Sequence, residues 1–232
     1  MDSSKTPINF LIPASSMDPK FQKKFEKMIS DLKQKNPNIN YYYITKDKYK
    51  SEIEDLKSKS ININLILCGS FFYSILPTLI ELIPSAHWIH ACSAGVEHFF
   101  RVPEIAKKIK SGEITLTNSA GAFSESFGEA GITAMMYFSY QLYIYIDAMK
   151  NKNWVRPFNN RMLQNKKLLI IGYGHNGVCL AKRAKNGFEM KVIGVVRTMR
   201  DNISGKEFTD ELYSMKDLPD KVINEADFVY AT

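Results

Sequence analysis

Over the first 120 residues, short runs of apolar and β-branched residues alternate with longer stretches in which apolar positions recur every three or four residues. Ile8 to Ala14, Asn40 to Thr45, Ile63 to Cys68, His87 to Cys92 and Ile114 to Thr117 have the length and composition of buried strands. Between them, Asp18 to Gln34, Asp47 to Ser58, Ser74 to Leu82 and Pro103 to Lys110 carry helical periodicity, the first closed by the helix-breaking pair Asn36 and Pro37. Short strands separated by helices pair in parallel and are covered on both faces. The pattern therefore predicts an α/β fold that opens with a five-stranded, doubly wound, flavodoxin-like domain over residues 1–120.

The pattern then changes. From Ser124 to about Asn151 a single long helix is expected, with Ser124 as its cap and Glu125 at the positive end of its dipole. Met135, Phe138, Leu142, Tyr145, Ile146 and Met149 recur at helical steps, and Tyr137, Tyr143 and Ile144 widen the apolar surface. A helix apolar on nearly every side is buried, either in its own core or partly against a second copy of the chain in a homodimer. After a polar stretch, Lys167 to Gly172 reads as a strand, Gly177 to Asn186 as a helix and Met190 to Val196 as a strand. Val222 to Thr232 closes with a short helix and a strand at Phe228 to Ala231. Residues 121–232 are thus expected to form a Rossmann dinucleotide-binding domain, incomplete because it stops at its fourth strand.

Composition narrows the function. The 232 residues hold 31 basic and 24 acidic side chains, and 45% are hydrophobic, which excludes a disordered chain. The positive excess divides evenly, 16 basic against 12 acidic residues up to position 120 and 15 against 12 beyond it, so no basic arm for nucleic acid is expected. Cys68, Cys92 and Cys179 lie far apart in apolar runs and read as small buried hydrophobes; no metal site is expected, and the histidines His87, His90 and His98 read as structural. MDSSKTPINF lacks a basic-then-apolar leader pattern, and Ala134 to Ile146 is too short and too polar to span a bilayer. A cytoplasmic protein with no membrane partner is expected.

One motif carries chemistry. Leu168-Leu-Ile-Ile-Gly172-Tyr-Gly174-His-Asn-Gly177 places G-x-G-x-x-G directly between a strand and a helix. Gly172 allows the tight turn, Gly174 lets a pyrophosphate approach the backbone, and Gly177 permits close packing of helix on strand. The turn Gly172, Tyr173, Gly174, His175, Asn176 and Gly177 is therefore the expected dinucleotide seat, phosphate resting on free N–H groups at the helix start. Where an NAD site usually has an acidic residue, the second strand ends in Arg197-Thr198-Met-Arg200. A guanidinium pairs with a 2′-phosphate through two parallel hydrogen bonds, so NADP is the expected cofactor, with Arg197, Thr198 and Arg200 holding it. NAD remains the alternative if Arg197 is a solvated loop residue stacked on the adenine.

Taken together, these residues resemble the D-isomer-specific 2-hydroxyacid dehydrogenases, particularly their glyoxylate/hydroxypyruvate reductase branch. Trp88-Ile-His-Ala-Cys-Ser-Ala94-Gly95-Val96-Glu97-His98 is similar to that family's substrate loop, which usually reads Ala-Gly-Val-Asp, with Glu97 in place of the Asp. Asn118-Ser-Ala-Gly-Ala-Phe-Ser-Glu-Ser-Phe-Gly-Glu129 is similar to the crossing into the cofactor domain. The resemblance implies that backbone N–H groups of Ala94 and Gly95 hold the carboxylate of a small 2-oxo or 2-hydroxy acid; read without it, the loop is an ordinary strand-to-helix turn. It also implies that the catalytic arginine, glutamate and histidine follow the fourth strand of the cofactor domain. No catalytic residue is therefore assigned in residues 1–232, which alone are expected to be inactive. The alternative is a catalytically silent dinucleotide-binding relative acting through protein contacts.

Overall fold

In the computed structural model, which describes residues 7–14, 19–45, 47–69, 72–157 and 159–232, the apolar runs become two separate parallel sheets. The chain divides into the units Met1–Ala120 and Gly121–Thr232. In the first, β1 (Ile8–Ala14), α1 (Pro19–Lys35), β2 (Ile39–Thr45), α2 (Tyr49–Ser58), β3 (Leu65–Cys68), α3 (Leu76–Leu82), β4 (Trp88–Ala91), α4 (Pro103–Lys110) and β5 (Thr115–Asn118) follow one another. Asp18, the expected start of α1, lies outside the described residues; the helix ends at Lys35, immediately before Asn36 and Pro37.

The strands lie in the order β2-β1-β3-β4-β5, all pairs parallel, which is the flavodoxin-like order. Successive side chains of β1 enter opposite layers. Leu11 joins Ile44, Ile53, Ile66, Leu79, Ile89, Phe99 and Ile105, whereas Ile12 joins Ile29 and Tyr41. Each fully buried aliphatic side chain contributes roughly 1.5–3 kcal/mol, so this unit has its own core. Cys68 lies inside it, but Cys92 and Cys179 are half-buried rather than buried as expected.

The second unit comprises α5 (Ser124–Ser139), α6 (Leu142–Lys150), β6 (Lys167–Ile171), α7 (His175–Phe188), β7 (Lys191–Val196), β8 (Glu211–Ser214), α8 (Asp220–Asn224) and β9 (Phe228–Ala231). Its order, β8-β7-β6-β9, is parallel throughout. The expected single helix from Ser124 is two helices. Gln141 takes a left-handed backbone (φ 52°), and the Ser139 carbonyl, which a continuous helix would offer to Tyr143, accepts the Arg161 N–H at 2.9 Å. Only part of its apolar surface is core: Ile132 and Met135 are buried, whereas Phe138, Leu142, Tyr143, Ile146 and Met149 are exposed. Nor is Ser124 the cap; Phe123 holds that position without a side-chain bond. The strand β8, four residues with no apolar run, has no counterpart in the sequence reading.

Against this sheet α5 packs on α7 through glycine. A Cβ at Gly128 would lie 3.0 Å from the Cys179 backbone, and one at Gly131 would lie 2.9 Å from Leu180. Among the described residues, no helix is long and apolar enough to cross a membrane, and no group of three or more His, Cys, Asp or Glu could hold a metal ion.

Candidate functional site

The glycine turn joins β6 to α7 at the carboxyl end of the second sheet. Gly172 has φ +96°, a conformation costly for side chains, and a Cβ there would lie 2.6 Å from the Thr232 carbonyl oxygen. A Cβ on Gly177 would meet the Gly172 carbonyl at 2.8 Å and Ile170 at 3.0 Å, so helix and strand touch at this point. At Gly174, by contrast, a Cβ would meet nothing within 4 Å. The turn is closed on two sides and open on the third, the shape needed by a backbone that a large anionic group must approach.

Not every N–H in the turn is available. Those of Gly172 and Tyr173 donate to the Val195 carbonyl at 3.0 and 2.8 Å, and that of Gly174 donates to the Gly172 carbonyl at 2.9 Å. Helical geometry leaves those of His175, Asn176 and Gly177 without a carbonyl behind them; α7 begins at His175, two residues earlier than expected, and its Gly174 cap supplies no side chain. The three first-turn amides are thus the donors a phosphate would meet. Two side chains of the motif are otherwise engaged. Tyr173 is buried, and its hydroxyl donates to the Gly205 carbonyl at 2.7 Å, with burial pushing its pKa up. Asn176 accepts from the buried Ser124 hydroxyl at 2.7 Å and donates to Thr232 Oγ1 at 3.0 Å, fastening the starts of α5 and α7 to the end of β9.

Beside the turn lies a recess of about 270 Å³, lined by Gly121, Ser124, Glu125, Gly174, His175 and Cys179 among others. Its carboxylate is neutralised: Arg183 hydrogen-bonds Glu125 and, with help from Cys179, holds that carboxyl below its ordinary range. Burial and then the Glu125 carboxylate push the Cys179 thiol up, so it is a thiol at neutral pH. Arg197, Thr198 and Arg200 are exposed. They follow Val196, the last residue of β7, one position beyond Val195, whose carbonyl the glycine turn grips, so this basic strip starts beside the turn.

In the first unit, Ala94 and Gly95 are exposed in the loop after β4. Asn118 Nδ2 donates to the Ala94 carbonyl at 2.8 Å, the Ser119 N–H donates to the Ser93 carbonyl at 3.1 Å, and the Ser93 hydroxyl donates to the Gly95 carbonyl at 2.7 Å. Tyr73 and Ser93 hydroxyls lie 2.9 Å apart. Behind the loop, Ser119 spends its single hydroxyl proton on the Ala91 carbonyl at 3.0 Å, so His90 Nε2, at 3.3 Å, is the donor of that pair. In the neutral ring His90 Nδ1 then accepts from Thr117, 2.8 Å away, which in turn accepts from Trp88 Nε1 at 2.9 Å. The His98 ring lies tilted against Tyr73 with ring centroids 3.7 Å apart, and burial lowers its pKa. Asn118 and Ser119 were legible only as the start of a crossing segment; a polar pair ending a strand does not announce which carbonyls it holds. A groove of about 660 Å³ along β5, lined by Phe100, Ile109, Ile114 and Leu116 among others, offers no charged group to an acidic substrate.

Residues 132–232 match a family model described as D-isomer specific 2-hydroxyacid dehydrogenase, NAD binding domain. A probable 2-ketogluconate reductase of Dictyostelium discoideum is 26% identical over 169 residues, covering 70% of this chain and 47% of that protein. Among solved structures, a D-isomer specific 2-hydroxyacid dehydrogenase family protein from Aeromonas salmonicida subsp. salmonicida A449 superimposes with a TM-score of 0.71 at 21% identity, over 97% of this chain and 63% of that one. A glyoxylate reductase from Paecilomyes thermophila gives 0.64 at 16% identity, over 98% of this chain and 65% of that one. The chain spans about half the length of the curated relative and under two thirds of these two structures. Over residues 132–232, most of its second unit, the chain is thus similar to the NAD-binding domain of the D-isomer specific 2-hydroxyacid dehydrogenases.

Proposed function

We propose that the chain is part of an oxidoreductase that uses NADP to act on the CH–OH group of a small D-2-hydroxy acid, in the reducing direction on 2-oxo acids such as glyoxylate or hydroxypyruvate. Residues 1–120 are its substrate domain and residues 121–232 its dinucleotide-binding domain. The observation that carries the reading is the glycine turn, open at Gly174 and tight at Gly172 and Gly177. The bound nicotinamide would supply or accept the hydride. His175, Asn176 and Gly177 would hold the pyrophosphate through their N–H groups, Arg197, Thr198 and Arg200 the 2′-phosphate, and Ala94 and Gly95 the substrate carboxylate. None of the described residues is assigned the polarising cation or the general acid that reduction of a carbonyl requires.

Cofactor choice tests the reading most directly. A charge-assisted pair between Arg197 and a 2′-phosphate is worth about 1.5–3 kcal/mol, so NADPH should bind more tightly than NADH. Arg197→Ala should erase roughly ten- to hundredfold of that preference in a fluorescence titration. Equal affinities in the unaltered chain would defeat the NADP assignment. The exposed apolar residues at the end of α5 and on α6 support a homodimer built on that face. They also favour the second reading, a catalytically silent relative acting through contacts. Turnover of glyoxylate by these 232 residues, lost on replacing Gly174 with a bulky residue, would exclude it.

A further inference from the structure

A trans peptide carries its C=O and its N–H on opposite sides. In the loop after β4, the Ser93 carbonyl is drawn onto the Ser119 N–H and the Ala94 carbonyl onto Asn118 Nδ2. The N–H groups of the same two peptides, those of Ala94 and Gly95, are therefore turned away from the end of β5, next to each other and on exposed residues. Asn118 is itself oriented. Its Oδ1 accepts the Ala120 N–H at 3.3 Å, which leaves Nδ2 for Ala94, and its backbone is in register with Ala91 of β4. The neighbouring Ser119 is anchored by Ala91 and His90.

We propose that Asn118 is a positioning residue for a carboxylate-binding pair of amides: its side chain holds the Ala94–Gly95 peptide so that the Gly95 N–H, beside that of Ala94, receives the carboxylate of a 2-hydroxy acid. This rests on the assignment of Ala94 and Gly95 to the substrate carboxylate. The device separates two tasks. Asn118 governs the Gly95 amide, while the Ser119 backbone, which no side-chain substitution removes, governs that of Ala94. One group opposes binding: Glu97 Oε2 would lie 2.8 Å from a Cβ on Gly95, but Glu97 is exposed and its charge is screened by water. An aspartate at position 118 would keep the acceptor for Ala120 and set a second oxygen against the Ala94 carbonyl, a repulsion that turns the peptide.

The test is a titration of the ¹⁵N-labelled 232-residue chain with glycolate, followed at the Ala94 and Gly95 amides. In the unaltered chain both are expected to move with one dissociation constant. In Asn118→Ala the Gly95 response should disappear and the constant rise about tenfold, the order of one charge-assisted hydrogen bond, while Ala94 still moves at higher glycolate. Asn118→Asp, nearly the same size, should lose at least as much. An undiminished Gly95 response in both variants overturns the inference and leaves the carboxylate assignment standing. Silence of both amides in the unaltered chain overturns that assignment and the inference with it. Loss of signal dispersion across the first unit in both variants would mark a merely structural asparagine and also overturn it.

Discussion

Asp210 stands immediately before β8 with its carboxylate turned onto the neighbouring strand. It accepts the Val192 N–H at 2.8 Å and the Lys185 ammonium at 2.9 Å. Burial is the largest single influence and raises its pKa, but the bonds from Val192 and Lys185 together outweigh it and leave the group below its ordinary range. A depressed carboxylate stabilises the folded state above its unfolded pKa, about 4, and that contribution is lost as pH falls through the lower folded value. Urea melts of the chain should therefore lose stability below about pH 4. Asp210→Asn should be the less stable protein at pH 7, with a difference from the parent that shrinks in acid. A difference independent of pH would remove the carboxylate from this role. The partners of this aspartate, 18 and 25 residues away, are not visible in the sequence.

At the scale of elements, the contact between α5 and α7 turns on which helical glycine meets a neighbour. Glycine costs a helix interior about 1 kcal/mol against alanine, so an unopposed glycine is a site for stabilisation. Gly187 in α7 has open space where a Cβ would go, and Gly187→Ala should stabilise the chain by about 0.5–1 kcal/mol. At Gly128 the nearest atoms are Cys179 backbone, which cannot step aside, and Gly128→Leu should destabilise by about 1–3 kcal/mol. Urea melts of the two variants should move in opposite directions; movement in the same direction would refute the close approach of the helices. Periodicity alone could not separate these two glycines, because it reports the buried face of a helix and not how near the next backbone comes. The same limit hid the break at Gln141, where apolar spacing continues through the residue that leaves the helix.

At the scale of the molecule, Phe138, Leu142, Tyr143, Ile146 and Met149, at the end of α5 and on α6, are large apolar side chains left exposed. If this face joins two copies, light scattering should report a dimer at micromolar concentration, and Phe138→Glu combined with Met149→Glu should yield a folded monomer with unchanged circular dichroism. A monomeric parent protein would count against the interface.

The sequence by itself determined the alternation of strands and helices, the two sheets and the position of the glycine turn. Each depends on local quantities: side-chain periods of two and 3.6, helix-breaking pairs and the conformational freedom of Gly172. It did not determine β8, whose residues Glu211 to Ser214 carry no apolar run and become a strand only because β7 presents an unpaired edge to them. Tertiary structure alone decided that Tyr173 turns inward to Gly205, that Asn176 bridges Ser124 and Thr232, and that Asn118 holds the Ala94 carbonyl. These bonds join residues 24 to 56 positions apart. A polar side chain takes such a partner only after burial of the apolar faces has brought the distant backbone within hydrogen-bond reach.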